Sequence, residues 1–122
     1  MKLLQATFFI VLTTSLFVAC KKAGTGGNAS ISAFPEHHED PIKNGVVYIK
    51  YNATDLPGTE PSDFDAQANV EGDHAHFHAL KKGKYYLYHI GYDSAYKSIV
   101  TGGVAIVIKT ESEQIISIPV AE

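Results

Sequence analysis

Apolar and polar residues alternate most regularly in the stretch DHAHFHALKKGKYYLYHIGYD, which starts at Asp73. The alternation runs through residues 74–79 and 85–92, on both sides of a glycine-bearing break, and predicts two β-strands joined as a hairpin. Successive side chains of a strand point to opposite faces. We therefore expect Phe77 to face the core and the neighbouring histidines to face away from it.

Shorter patterns of the same kind predict a domain built from about six to seven strands. The turn at residues 71–73 predicts that the segment before it pairs with the strand at 74–79. Residues 52–65 form a connection longer than usual. No segment after residue 19 shows a helical period, which favours an all-β sandwich or barrel. The further predicted strands are residues 46–51, 66–70, 104–109 and 114–120.

The N-terminus has a different pattern, a lysine followed by a nearly continuous apolar run that ends at Ala19. A charged start and an apolar middle of this length are typical of a secretory signal peptide, and the run is short for a membrane-spanning helix. We assign residues 1–19 to the signal peptide.

The end of this leader, Phe17-Val18-Ala19-Cys20, resembles the lipobox of bacterial lipoproteins. The resemblance implies cleavage before Cys20, lipidation of its thiol and acylation (palmitate) of its amino group. Several acyl chains would anchor the domain permanently to a bilayer. With Lys21-Lys22 after the cysteine, the resemblance implies the outer membrane, with the domain facing either the periplasm or the exterior. The alternative is an ordinary secreted protein whose cysteine belongs to the leader.

The 103 residues that follow the leader are enough for one small domain. This part has a single cysteine and hence no internal disulfide, so its stability must come from an apolar core. It has nine lysines, no arginine and thirteen acidic residues, which argues against a nucleic-acid partner. Its glycine-rich start predicts a flexible tether over residues 20–33, with the folded domain at residues 34–122.

The central pattern Phe77-x-x-Leu80-x-x-Gly83-x-Tyr85-x-Leu87 resembles the transthyretin-like (prealbumin-like) and carboxypeptidase-regulatory-like domains of bacterial envelope proteins. Residues 40–47 are similar to the approach to the first strand of that family. The resemblance implies a Greek-key β-sandwich of about seven strands. It also implies that the phenylalanine, the tyrosine and both leucines of the pattern face the core.

The histidines are the residues that offer chemistry most clearly. Alternation places His74, His76 and His78 on one face of a strand, about 6.5–7 Å apart in successive pairs, and such a group can bind zinc or copper. Further ligands could come from the approach to the first predicted strand, if it passes nearby; the candidates are His37, His38, Glu36 and Asp40. The alternative is a set of solvated histidines on an exposed sheet face.

Other polar residues have simpler explanations. His89 shares the inward face of its strand, which predicts a buried histidine that needs a hydrogen-bond partner. Four tyrosines could line a binding surface or pack between sheets. Four acidic residues of the long connection could bind calcium, although a solvated loop explains them without the spacing of a calcium loop. These residues are Tyr86, Tyr88, Tyr92, Tyr96, Asp55, Glu60, Asp63 and Asp65.

Two catalytic relatives of the transthyretin-like fold do not match this chain. Hydroxyisourate hydrolases rely on arginine and on a terminal motif that the chain lacks, and intradiol dioxygenases have their His-x-His pair after the Gly-x-Tyr strand, whereas here it comes before. We therefore expect no enzyme activity. The sequence favours a lipid-anchored binding or accessory domain of the cell envelope, with a small ligand or an envelope protein as partner. The alternative is a zinc- or copper-binding lipoprotein.

Overall fold

The computed structural model describes residues 22–122, which form an all-β structure with one short 3-10 turn at Pro61–Asp63. This confirms the predicted fold class at the level of a β-sandwich. The leader at residues 1–19 and the lipidation candidate Cys20 lie outside the described residues. Among those described, no helix is long and apolar enough to cross a membrane.

The structure has eight strands, whereas the sequence predicted about seven. They are β1 (Thr25–His37), β2 (Asp40–Pro41), β3 (Val46–Tyr51), β4 (Ala66–Asn69), β5 (Ala75–Leu80), β6 (Gly83–Asp93), β7 (Ser98–Ile108) and β8 (Glu113–Pro119). Sheet A has β1 at its centre, with β5 and the short β2 antiparallel to it and β8 parallel to it. Sheet B is antiparallel in the order β4-β3-β6-β7.

The predicted hairpin between β5 and β6 is wrong, because the two strands belong to different sheets. The two residues between them, Lys81 and Lys82, carry the chain from one layer of the sandwich to the other. Near this crossing, Ala79 and Gly83 have positive φ angles of 53° and 151°. A Cβ at Gly83 would lie 2.9 Å from the Cβ of Ala23. Alternation correctly identified the inward face of each strand, but it does not specify the neighbouring strand.

The predicted pairing of β4 with β5 is wrong for the same reason. The connection between these strands contains one isolated bridge, between Glu71 and His74, and the strands themselves are not paired. Strand β4 pairs instead with β3, and β5 pairs with β1.

The prediction of a flexible tether over residues 20–33 is wrong for the part that the structure describes. Residues from Thr25 onward form β1, and Ala29, Ile31 and Ala33 are at most 1% exposed. Glycine and small polar residues suggested a linker, but they also suit the centre of a sheet where two layers approach closely. The folded domain therefore begins before residue 34.

Strand β7 is longer than predicted and contains Gly102 and Gly103 in its interior. A Cβ at Gly102 would lie 2.1 Å from the carbonyl oxygen of Pro119. The absence of a side chain lets the end of the chain cross β7, where Thr101 and Ala121 exchange two backbone hydrogen bonds of 2.9 Å. These glycines mark a close backbone approach and not the start of a strand.

The core lies between the sheets, and the inward faces predicted from alternation are confirmed. Phe77 and Leu80 are 7% and 2% exposed, and Tyr85 and Leu87 are fully buried. The buried apolar residues form one cluster that extends from Ala23 to Val120. The segment 22–122 thus has its own hydrophobic core, as a domain that folds independently does.

The hydroxyl of Tyr85 connects the start of the domain to the β5–β6 crossing. It accepts a 2.9 Å hydrogen bond from the Gly24 amide and donates to the Lys81 carbonyl at 2.6 Å. Burial raises the pKa of Tyr85, so the hydroxyl keeps the proton that it donates. Two backbone groups of a buried site therefore depend on one side chain.

We predict that Tyr85→Phe lowers the free energy of unfolding by about 1–3 kcal/mol, because it leaves these two backbone groups without a partner. The measurement is urea denaturation of residues 22–122. Tyr86→Phe is the matched control: its hydroxyl makes no hydrogen bond within the described residues, so we expect a change below about 0.5 kcal/mol. Equal stability of the two variants would contradict the assigned role of Tyr85.

Candidate functional site

His76 and His78 of β5, and His74 just before this strand, lie on the outer side of sheet A, as the alternation predicted. His74 and His76 are partly exposed and His78 is exposed, and all three line an open cleft of ≈ 260 Å³ together with Glu71. Ala68 and Asn69 of β4 complete its wall. We refer to His74, His76 and His78 as the histidine face.

Hydrogen bonds determine which ring nitrogen of neutral His76 carries the proton. The Ser32 hydroxyl donates to Glu113 Oε1 at 2.7 Å, which uses its single proton. At the 2.9 Å contact between Ser32 Oγ and His76 Nδ1, the imidazole must therefore be the donor. Neutral His76 then carries its proton on Nδ1, and the lone pair of Nε2 is free for a ligand.

His74 is oriented in a similar way by its neighbour Asp73. The distance from His74 Nδ1 to Asp73 Oδ1 is 2.9 Å, and this bond lowers the pKa of the Asp73 carboxyl. The carboxylate accepts a hydrogen bond from Nδ1–H, so Nε2 of His74 is also available. Phe34 stacks on this imidazole at a centroid distance of 5.0 Å.

The imidazoles of His76 and His78 are close neighbours, with ring centroids 4.2 Å apart and an interplanar angle of 60°. Within residues 22–122, however, no group of three or more His, Cys, Asp or Glu side chains is arranged to hold a metal ion. A metal shared by the histidine face would therefore require its side chains to rotate toward one another.

The structure does not bring His37 and His38 to the histidine face. Ser32 and Phe34 of β1 face outward with the histidines, whereas His37 has the opposite parity and is 4% exposed. The hypothesis that His37 and His38 supply further ligands to the histidine face is thus not supported by their placement. His37 follows Phe34 by an odd number of positions in β1, so the two side chains point to opposite faces of the sheet. Only the strand assignment reveals this.

His37 instead forms a second cluster at the end of sheet A. Its Nδ1 lies 2.7 Å from Asp93 Oδ2, while Asp93 Oδ1 accepts hydrogen bonds from the amides of Ala95 and Tyr96. The bond to His37 and these two amides hold the pKa of Asp93 below its usual range. The rings of His37 and His38 are 4.1 Å apart, and Tyr96 packs against both. Neither spacing nor alternation indicated the partner, because Asp93 is 56 residues away.

The turn that carries His38 has an unusual backbone. His38 and Glu39 have φ angles of 52° and 67°, and they connect the paired residues His37 and Asp40. A two-residue hairpin turn with both φ angles positive normally contains asparagine and glycine. With side chains at both positions, this turn carries backbone strain of about 1 kcal/mol or more per residue.

His89 is fully buried, and the interpretation as a core histidine with a hydrogen-bond partner is confirmed. Its Nε2 donates to the carbonyl oxygen of Asn44 at 2.9 Å, whereas the buried Nδ1 has no hydrogen-bond partner among residues 22–122. Glycines make room for the ring: a Cβ at Gly45 or Gly91 would lie within 2.9 Å of its atoms. Burial lowers the pKa of His89.

The long connection covers part of the outer face of sheet B. Its Phe64 packs in parallel on Tyr88, at 5.8 Å and 4°, and also contacts Tyr48. Tyr88 is 7% exposed for this reason, and not because it packs between the sheets. Tyr92 and Tyr96 are about half exposed, so they remain candidates for a binding surface.

Two acidic residues of the same connection have structural roles. Asp63 accepts a hydrogen bond from the Glu60 amide and caps the 3-10 turn, and Asp65 accepts one from the Tyr51 amide at 2.7 Å. These bonds favour the interpretation as a solvated loop over a calcium site.

The Ser32, His76 and Glu113 contacts do not have the order of a hydrolytic triad. In a triad the serine hydroxyl donates to the imidazole, which in turn donates to the carboxylate. Here the serine hydroxyl donates a hydrogen bond to the carboxylate and accepts one from the imidazole N–H. The arrangement orients His76 and does not activate Ser32 as a nucleophile.

No family model matches the chain, and neither the curated proteins nor the solved structures include a significant match.

We predict that the imidazole of His89 titrates below its ordinary pKa of 6.5. Below pH 6.5 the imidazole of His89 is protonated in the unfolded chain, whereas burial disfavours its protonation in the native state. The free energy of unfolding therefore falls as pH decreases, by at most about 1.4 kcal/mol per pH unit. The measurements are NMR titration of the ring, assigned with His89→Gln, and urea denaturation at pH 7.5 and 5. The variant should lose less stability between these pH values than the native chain. A midpoint at or above 6.5 would contradict the prediction.

Proposed function

We propose that the chain is a bacterial lipoprotein of the outer membrane, anchored through lipidated Cys20. In this proposal residues 22–122 are a transthyretin-like Greek-key sandwich that acts as a binding or accessory domain without catalytic activity. The domain holds a small ligand or an envelope protein partner near the membrane, on its periplasmic or its external side.

Two features of the fold support the transthyretin-like assignment. The core positions of Phe77, Leu80, Tyr85 and Leu87 agree with what the family resemblance implies. The connections β4–β5, β5–β6 and β7–β8 each pass from one sheet to the other, as the connections of Greek-key sandwiches commonly do.

The lipid anchor is supported by the leader sequence and by the position of the first described residues. Ala23 is buried at one end of the sandwich, against Gly83. Lys22 is two positions after Cys20, which gives a reach of at most about 7 Å. An acylated Cys20 would therefore hold this end of the domain at the bilayer.

The observation that carries the binding role is the histidine face. Three imidazoles line one cleft on the outer side of a sheet, and the orientation of His76 is fixed through Ser32 and Glu113. None of the three residues of this network belongs to the hydrophobic core, so the network contributes little to core packing. Preorganised polar groups in a cleft are a property of binding sites.

A second candidate function is binding of zinc or copper at the histidine face. In both His74 and His76 the Nδ1 proton is held by an oxygen acceptor, which leaves Nε2 for a metal. Metal-binding histidines generally donate their other N–H to an oxygen in this way. The neighbouring ring of His78 is the third potential ligand, and a small rotation of the three side chains would be part of binding.

We predict that cells incorporate labelled palmitate into the full chain and that Cys20→Ser abolishes the label, because the chain has no other cysteine. The measurement is metabolic labelling followed by fractionation, with the protein expected in the outer membrane. The control adds Thr25→Cys to Cys20→Ser, which restores a thiol outside the lipobox and should remain unlabelled. A labelled control, or a labelled Cys20→Ser chain, would contradict lipidation at Cys20.

We predict that zinc or copper raises the melting temperature of residues 22–122 if the second candidate is correct. A metal that binds only the folded state at a hundred times its Kd stabilises by about 2.7 kcal/mol, which is on the order of 10 °C for a domain of this size. The triple variant of His74, His76 and His78 to alanine should lose the shift, and His38→Ala should keep it. Ser32→Ala should weaken the affinity about 10- to 100-fold, since it removes the acceptor that orients His76. No shift with either metal would exclude the site.

A further inference from the structure

A cavity of ≈ 510 Å³ lies at the end of the sandwich where the described chain begins. Three lysines, Lys22, Lys81 and Lys82, contribute to its lining, and Glu111 is the one carboxylate there. Within residues 22–122 none of these lysines has a carboxylate within salt-bridge distance. The cavity therefore has a net positive charge that the described protein does not neutralise.

The remaining wall of the cavity comes from a bulge in β1. Thr25 and Ala29 both align with Leu80 of β5, so residues 26–28 are extra residues in this strand. Residues of a bulge lie outside the regular ladder of hydrogen bonds. Gly26, Gly27 and Asn28 thus present backbone to the cavity beside the lysines.

The glycines of the bulge permit this arrangement. A Cβ at Gly27 would lie 2.2 Å from the carbonyl oxygen of Leu80, and Gly26 has a φ of 102°. The side chain of Lys81 extends along the bulge, with its Cε 3.4 Å from the position of a Cβ on Gly26. The cavity is hence a formed feature of the fold with lysine side chains and polar backbone at its surface, which is the chemistry that recognises a phosphate group.

Two further lysines lie at the same end of the sandwich as the cavity. Lys84 lies one residue after the start of β6, and Lys109 follows the end of β7, which pairs with that start. Both are exposed. At the opposite end of the sandwich, His38 and Glu39 form the β1–β2 turn, and Asp40 begins β2. The lysines therefore concentrate at the end where Cys20 would enter the bilayer.

We propose that this lysine-lined cavity binds the phosphate group of an anionic lipid, so that the domain docks on the membrane with its N-terminal end. The orientation rests on the proposed lipid anchor at Cys20, since the anchor would hold the cavity at the level of the headgroups. The acyl chains and the lysines would then both contribute to membrane affinity, because each lysine near an anionic surface adds electrostatic attraction to the hydrophobic insertion of the chains.

The test uses residues 22–122, which contain the whole described core but not Cys20, so its outcome is independent of lipidation. We measure cosedimentation with vesicles of phosphatidylglycerol and phosphatidylcholine, and with vesicles of phosphatidylcholine alone. We expect binding to the anionic vesicles that weakens as salt increases. The double variant Lys81→Gln, Lys82→Gln should weaken the affinity for anionic vesicles about 25-fold, because each lysine contributes about fivefold.

The matched control is Lys43→Gln with Lys97→Gln, which removes the same charge from exposed positions at the opposite end. It should retain native binding. An equal loss in both double variants would show that net charge alone is responsible, and equal binding to both kinds of vesicle would exclude recognition of anionic headgroups. Either result would overturn the proposal.

A second measurement separates the membrane from a soluble phosphate. Inorganic phosphate is titrated while the amide resonances of Gly26, Gly27 and Asn28 are followed by NMR. We expect small shifts only at millimolar phosphate. Saturation at micromolar phosphate without vesicle binding would assign the cavity to a soluble phosphate compound and overturn the docking proposal. Failure of palmitate labelling at Cys20 together with intact vesicle binding would refute the anchor and leave the cavity as a phosphate site.

Discussion

Strand β1 is the element on which the rest of the described structure depends, because it hydrogen-bonds to β2, β5 and β8. Its inward residues Ala29, Ile31 and Ala33 have small or compact side chains that let the two sheets approach. Without β1, strands β5 and β8 would have no common partner within residues 22–122. The chain from Thr25 onward is therefore part of the folded structure and not a flexible tether.

The same strand contributes to all three sites that carry unusual chemistry. Its outward residue Ser32 orients His76, its inward residue His37 pairs with Asp93, and its bulge forms one wall of the lysine-lined cavity. Alternation along β1 separates the first two sites onto opposite faces. A change of register in β1 would consequently disturb the histidine face, the buried His37–Asp93 pair and the cavity together.

Charged and titratable side chains lie at both ends of the strands. The lysine-lined cavity lies at the end that leads to Cys20, while the His37–Asp93 pair and the strained turn at His38 lie at the other end. The histidine face lies on the side of sheet A. If Cys20 is lipidated, this geometry places the histidine face beside the membrane surface, with its cleft accessible to ligands and partners that diffuse along the envelope.

The sequence by itself determined the strands and the direction of their side chains. Two-residue alternation is a local property, so it correctly placed Phe77 and Tyr85 inward and His76 outward, and predicted the burial of His89. It also located β3 within its observed bounds. The histidine face was therefore predictable as a row of residues.

The tertiary structure decided which strands pair and which distant residues meet. The sequence predicted β5 and β6 as a hairpin and assigned residues 20–33 to a tether, because composition and short breaks do not reveal that the chain crosses between layers or that small residues fill the centre of a sheet. The contacts of His37 with Asp93, and of Ser32 with His76 and Glu113, join residues 44 to 81 positions apart. Such contacts are set by the packing of the two sheets, for which no local pattern of polarity provides a signal.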